Sequence, residues 1–268
     1  MGEIIRAQLR QARKTGMLYL VFFLFAFVSC IALLNESSGW GEHPETASDF
    51  VCGNMSAKLC SFAIFFLMVA IGWICGADFE DKTINYELSA GRLRREVYLG
   101  RVIPGILVGI TGTVILSAAP ILLIAAFYGW GNSLPLSNAL LRLLLTMLPL
   151  LRMGAFAAAM TFILKHQLPS VMLAFCTCSL TVMPLETFNM PVIRDLIKNP
   201  FVLSAVNYSN LMTVDSGYVY GCFDFKMHYI YYPELSGSMI AGTVIVSLVM
   251  TAVYLLIGYH FFHVDDMN

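Results

Sequence analysis

The stretch "DFEDKTINYELSAGRLRREVYLG", residues 78–100, decides how this chain is organised. Nine of its residues are charged, whereas only 12% of the whole 268-residue chain is charged and 58% is hydrophobic. Soluble domains are about 25% charged and roughly 45–50% apolar, so this composition is typical of a membrane protein. A charged segment between two apolar stretches predicts a polar connection between two membrane spans.

The apolar stretches on either side are long enough to cross a bilayer. A hydrocarbon core of about 30 Å needs about 20 apolar residues as helix, and backbone polar groups in lipid must be satisfied internally. Six spans are predicted: residues 17–34, 59–77, 102–128, 138–164, 168–184 and 239–262. The predicted fold class is therefore an all-α polytopic membrane protein, with one transmembrane domain over residues 1–268.

The distribution of Lys and Arg predicts the orientation. Ten of these residues lie before the first span, between the second and third spans, or between the fourth and fifth, and four lie on the opposite side. Because positive charge favours the cytoplasmic side, both termini and residues 78–101 are expected in the cytoplasm. The outer segment, residues 187–238, is rich in aromatic residues, which either pack a cap on the membrane or line an outward path.

Residues 3–14 form an element of their own. Three arginines share a helical face that has three apolar residues beside it: Arg6, Arg10 and Arg13, with Ile5, Leu9 and Ala12. This pattern predicts either a helix that lies in the membrane interface or an ordinary positively charged flank.

The patterns of common catalytic and metal sites are missing from the sequence. No G-x-x-x-x-G-K-[ST] loop and no H-E-x-x-H pair occurs, and no carboxylate or histidine lies in the middle of a predicted span. We therefore expect no catalytic site, no metal and no cofactor bound by this chain. Cys52 and Cys222 fall in polar connections, and the sequence leaves open whether they pair.

Two arginines lie within the fourth predicted span. Arg142 is near its outer end, where it either snorkels or pairs with Glu186, and Arg152 is deeper, just after Pro149. A charge at membrane depth faces a cavity, backbone carbonyls or a partner chain. Arg142, Arg152 and Glu186 are therefore candidates for a substrate pathway, and the alternative is a kinked helix that lets Arg152 reach water or a carbonyl.

Residues 78–91 have the pattern of a short helix, and Arg92–Arg95 restart a helix that runs into the third span. Acidic residues stand at its start, Ile84 and Leu88 share one face, and Gly91 suits its end. A solvated loop that merely obeys the charge rule needs neither the acidic cluster nor the apolar Ile84, Tyr86 and Leu88. A docking element for a cytoplasmic partner explains both features.

These residues resemble the segment that follows the second span in type-2 ABC exporter permeases. The matching residues are Asp78-Phe79, Lys82-Thr83-Ile84, Leu88-Ser89-Ala90-Gly91 with Arg94 or Arg95, and Tyr98-Leu99. Lys82 stands where that family usually has glycine. The six spans, the cytoplasmic termini, the basic N-terminal segment and the long outer segment also resemble that family.

The resemblance implies that residues 80–90 are a coupling helix seated in a separate ATPase subunit, and that residues 3–14 are an elbow helix. The coupling residues would be Asp78, Phe79, Glu80, Lys82, Thr83, Ile84, Leu88, Ser89, Gly91 and Arg94. It further implies a homodimer with two ATPase subunits that bind ATP and Mg, in a bacterial cytoplasmic membrane, exporting amphipathic peptides or antibiotic-like molecules. No nucleic acid is expected as a partner.

Two other functions remain open. The first is an ion-coupled carrier or channel that acts alone, which would need a titratable group at mid-membrane depth. The second is a membrane scaffold or sensor without transport, which would keep a docking segment but need no pathway.

Overall fold

The computed structural model describes residues 2–14, 16–36, 46–48, 54–132, 134–180 and 237–264. In these ranges the chain forms helices and no strands, which confirms the all-α class. The helices are α1 (Gly2–Lys14), α2 (Gly16–Glu36), α3 (Asn54–Glu80), α4 (Thr83–Ser89), α5 (Arg94–Tyr128), α6 (Leu136–Leu164), α7 (Gln167–Leu180) and α8 (Gly237–Val264).

Three stretches of the described residues are long and apolar enough to cross a membrane. They are Arg94–Tyr128, Leu136–Leu164 and Ser247–Val264, and α2 has a shorter apolar part, Leu18–Phe27. The chain therefore has the character of a helical membrane protein, and the six-span topology stays a prediction. Cys52, Cys222, residues 181–184 and nearly all of the outer segment lie outside the described residues.

The charged stretch between the second and third predicted spans contains more helix than its hydropathy indicates. α3 continues to Glu80, and α5 begins at Arg94, eight residues before the predicted span at 102. The seven-residue α4 lies between them, after a turn in which Lys82 has φ of 55°. This left-handed conformation favours glycine, so Lys82 adopts it at a steric cost.

The helices pack around α3 and α6. At Gly109 of α5, an added Cβ would lie 2.7 Å from Leu67 Cδ1 of α3, so a small residue is needed for the two backbones to approach. α6 and α8 run side by side in the same direction, because Phe156 contacts Tyr254 and Phe162 contacts Phe262.

Elements distant in sequence meet at one end of the bundle. We call it the α4 end: it comprises α1, α4, the last turn of α3, the first turns of α5 and the last turn of α8. Arg94 of α5 donates hydrogen bonds to the backbone oxygens of Phe262 and His263 in α8, over 3.1 and 2.7 Å. At the opposite end, Ala47 and Ser48 donate backbone hydrogen bonds to Gly129 and Trp130, just after α5.

Candidate functional site

A buried group of polar side chains joins four helices at the α4 end. Arg101 of α5 donates from Nε to Asp78 Oδ2 of α3 over 2.6 Å, and from Nη1 to Glu87 Oε2 of α4 over 2.9 Å. Gln8 of α1 donates from Nε2 to the same Asp78 oxygen over 2.5 Å. We call these four residues the Arg101 cluster. It links α1, α3, α4 and α5 through one guanidinium, two carboxylates and one side-chain amide.

The two ion pairs of the cluster differ in their exposure to solvent. The side chains of Arg101 and Asp78 are 1% and 4% exposed, whereas that of Glu87 is 28% exposed. A buried charge is tolerated only when it is paired and hydrogen-bonded, so Arg101 and Asp78 depend on each other. Water reaches the Glu87 pair, which is therefore the weaker and more easily opened of the two.

Apolar side chains fix the inner face of α4. Ile84 is buried in the core that also contains Val97 and Val102, and Leu88 packs against the same core. Thr83 Oγ1 donates to the backbone oxygen of Asp78 over 3.3 Å. The chain therefore buries this face of α4 against itself, and Ile84 and Leu88 attach α4 to the bundle.

The outer face of α4 and the residues next to it remain accessible. Tyr86 is 75% exposed, and Leu93, just before α5, is also exposed. Thr83, Tyr86 and Ser89 are exposed at a spacing of three residues and so share one helical face. We call Lys82, Thr83, Tyr86, Ser89 and Leu93 the α4 surface. Single exposed apolar residues are common, but two at a charged end of a membrane bundle offer a partner an apolar contact.

Phe79, the residue after Asp78, packs its ring against aromatic rings of other helices. Its ring lies 5.3 Å from that of Phe162 in α6 and 6.4 Å from that of Phe262 in α8, measured between centroids. Tyr98 of α5 joins the same group, with its ring 4.6 Å from Phe162. These aromatic contacts tie the last turn of α3 to α5, α6 and α8.

Glu80 and Arg94 each form hydrogen bonds with backbone groups at the end of another helix. Glu80 Oε1 accepts a hydrogen bond from the backbone N–H of Gln167, the first residue of α7, over 3.1 Å. Arg94 binds the last carbonyls of α8, where a positive charge also complements the helix dipole. Gly91, with φ of 84°, closes the turn after α4.

Of the three candidate substrate-pathway residues, the structure describes the side chain of Arg152 alone. Arg152 is buried within α6. Arg142 lies on the same helix, but its side chain is outside what the structure describes, and so is the whole of Glu186. Over the described ranges, no group of three or more His, Cys, Asp or Glu side chains is placed to hold a metal ion.

Sequence reasoning missed Gln8, Glu87, Arg101 and Leu93. Gln8 and Asp78 are 70 residues apart, and no local pattern relates two such positions. One signal was present: Asp78 ends one apolar stretch and Arg101 begins the next, so an ion pair between consecutive spans was open to prediction.

No protein-family model matches this chain, and no curated protein matches it. The functional interpretation therefore depends on the Arg101 cluster and the α4 surface themselves.

Proposed function

We propose that this chain is the permease subunit of an ATP-driven exporter of the type-2 ABC class. Two copies would form the pathway in a bacterial cytoplasmic membrane, and two separate ATPase subunits would bind ATP and Mg. The substrate would be amphipathic, of the peptide or antibiotic class, and would move outward. α4 would be the coupling helix, α1 the elbow helix, and six spans with cytoplasmic termini would complete the topology.

The observation that carries this proposal is the two-sided character of α4. Its inner face is fixed to the bundle by Ile84, Leu88 and the Glu87–Arg101 ion pair, and its outer face is exposed. A coupling element needs both properties, because it must accept a partner and pass that partner's movement to the membrane helices. A loosely attached loop would absorb the movement instead.

The Arg101 cluster supplies a direct route for such movement. A shift of α4 would act on Glu87, then on Arg101 in α5, and then on Asp78 in α3, to which Gln8 of α1 is also bonded. Because the Arg101–Asp78 pair is shielded from solvent, separating its charges would cost much free energy. The helices that carry the two residues would therefore move together.

The test is capture of an ATP-binding subunit by the tagged, full-length chain. The chain is co-expressed with candidate ATP-binding subunits from the same genome, and the captured ATPase is measured for wild type, Tyr86→Glu and Tyr128→Glu. Tyr128 is a matched control, because it is 69% exposed and lies at the opposite end of α5. Loss of an aromatic contact at the centre of an interface costs about 2 kcal/mol or more, so Tyr86→Glu should lower capture at least about tenfold. Tyr128→Glu should leave it unchanged.

Two results would count against the exporter. The first is that wild type captures no ATPase, which would favour a carrier or channel that acts alone, and the second is that Tyr86→Glu captures as much ATPase as wild type. A scaffold or sensor would pass the capture test but would not move substrate. The distinguishing measurement is accumulation of a fluorescent amphipathic peptide in inside-out vesicles that contain both subunits. An exporter accumulates the peptide when ATP is added, and a scaffold or sensor does not.

A further inference from the structure

α1 has one face that packs against the bundle. Ile4, Gln8 and Ala12 are buried at a spacing of four residues, which places them along one side of the helix. Ile4 packs against Gly100 of α5, where an added Cβ would lie 2.7 Å from Ile4 Cγ2. Gln8 bonds to Asp78. α1 is therefore attached along its length, and its orientation about its own axis is fixed.

The opposite face of α1 is basic. Arg6, Arg10, Arg13 and Lys14 are all exposed, and at 3.6 residues per turn they lie on the side away from the buried stripe. Among the described residues, no carboxylate forms an ion pair with any of these four cations. We call them the basic stripe. Its positive charge is therefore exposed and available to an anionic ligand.

An apolar flank lies between the buried face and the basic stripe. Ile5 is half-buried and Leu9 is exposed, and both lie on the same side of the stripe. A soluble acidic protein or a nucleic acid would bind the positive charge alone. A bilayer surface binds both features, since phosphate headgroups meet the cations while the acyl boundary takes the apolar side chains.

We propose that the basic stripe of α1 binds the headgroups of anionic phospholipids, and that the Gln8–Asp78 hydrogen bond carries this contact to the Arg101 cluster. Lipid on one face of α1 would hold the helix against the bundle, and Gln8 on the other face would hold Asp78. The anionic lipid content would then set how firmly α4 is held. The inference requires a bilayer but no ATPase, so it goes beyond the proposed function and can fail independently of it.

The lipid contact is tested on the full-length chain in nanodiscs of equimolar phosphatidylcholine and phosphatidylglycerol. After gentle extraction, the phosphatidylglycerol bound per chain is measured by native mass spectrometry. Each removed cation should lower the affinity about fivefold, so Arg6→Gln/Arg10→Gln/Arg13→Gln should lose most of the bound lipid. The three side chains are exposed, so these changes should disturb the packing of α1 little.

Two controls separate charge from other effects. Arg6→Lys/Arg10→Lys/Arg13→Lys should retain the lipid, because a headgroup contact of this kind needs charge more than shape. Arg95→Gln removes an exposed cation of α5 at the same end of the bundle and should leave binding close to that of wild type. Equal retention by wild type and the triple Gln variant would overturn the proposal. So would capture of soluble polyglutamate by wild type as tightly as phosphatidylglycerol, because the ligand would then be an acidic protein.

The link to α4 is tested by hydrogen exchange of residues 83–89 in the same nanodiscs. In wild type, exchange should be slower with phosphatidylglycerol present than in phosphatidylcholine alone. Gln8→Leu keeps the basic stripe but removes the bond to Asp78, so it should bind the lipid and lose this difference. If Gln8→Leu keeps the difference, the role assigned to the Gln8–Asp78 bond is wrong.

Discussion

Arg101 and Asp78 are 23 residues apart in the sequence, and their side chains meet at 2.6 Å in the interior of the α4 end. The whole of α4 lies in the stretch of chain that this pair closes. Glu87 of α4 then bonds to the same guanidinium over 2.9 Å. The pair therefore anchors α4 and also sets the distance between the helices before and after it.

Removing Arg101 should be severely destabilising. Arg101→Met leaves Asp78 buried without its cation, and breaking a buried pair costs about 3–5 kcal/mol. Thermal unfolding in nanodiscs should show a large fall in Tm, whereas Arg95→Met, at an exposed position of the same helix, should change Tm little. Asp78→Asn/Arg101→Met should be less damaging than the sum of its single changes, because neither charge is then left alone. Simple additivity would show that the pair does not act as a unit.

Glu87→Gln should loosen α4 without unfolding the bundle. The Glu87 side chain is 28% exposed, so its ion pair is partly screened and contributes about 1 kcal/mol or less. Hydrogen exchange should become faster in residues 83–89 and stay unchanged in α3, where Asp78 still binds Arg101. Faster exchange in both helices would mean that the Glu87–Arg101 ion pair cannot break without also loosening the Arg101–Asp78 pair.

Lys82→Gly should stabilise the turn between α3 and α4. Lys82 has φ of 55°, a left-handed conformation that costs a residue with a Cβ about 1 kcal/mol in steric strain, which glycine avoids. Lys82→Val, with a β-branched side chain in the same conformation, should be destabilising. The check is Tm for both variants, and a lower Tm for Lys82→Gly than for Lys82→Val would contradict the expected order.

Gly100→Ala should displace α1. The new Cβ would lie 2.7 Å from Ile4 Cγ2 and 3.0 Å from Ile4 Cβ, which α1 relieves only by moving away. Overpacking of this kind costs about 1–3 kcal/mol. Gly16→Ala is the matched control, since nothing lies within 4 Å of its added Cβ.

A second variant shortens the Ile4 side chain, which opposes the new Cβ of Gly100→Ala. Ile4→Ala should recover part of the stability lost in Gly100→Ala, because the two side chains compete for one space. Tm is again the measurement, and the absence of recovery in the double variant would show that the two residues are not in contact.

Hydropathy predicts the apolar middle of each helix better than its ends. The third predicted span begins at residue 102, but α5 begins at Arg94, because a polar first turn carries no hydropathy signal. The predicted short helix at 80–90 became Thr83–Ser89 for a related reason, since Glu80 continues α3 and Lys82 makes a left-handed turn. Spacing correctly indicated that Ile84 and Leu88 share a face, but not whether the chain or a partner covers it.

The Arg101 cluster required information that no local pattern contains. Gln8, Asp78 and Arg101 belong to three helices, and only their packing brings one oxygen of Asp78 within reach of two donors. Asp78 and Glu80, which were named from the family resemblance, both lie in the last turn of α3 at the α4 end. Their roles as an ion-pair partner and as an acceptor for the α7 N-terminus came from the structure.

The contacts of the α4 end also imply an order of assembly during synthesis. All four members of the Arg101 cluster lie between residues 8 and 101, so they leave the ribosome before any part of α6, α7 or α8. The carbonyls that Arg94 binds belong to Phe262 and His263, in the last described helix. N-terminal parts of a chain generally fold first during translation. The nascent chain can therefore pack α4 against α1, α3 and α5 early in synthesis. The hydrogen bonds of Arg94 form later, after α8 has been synthesised.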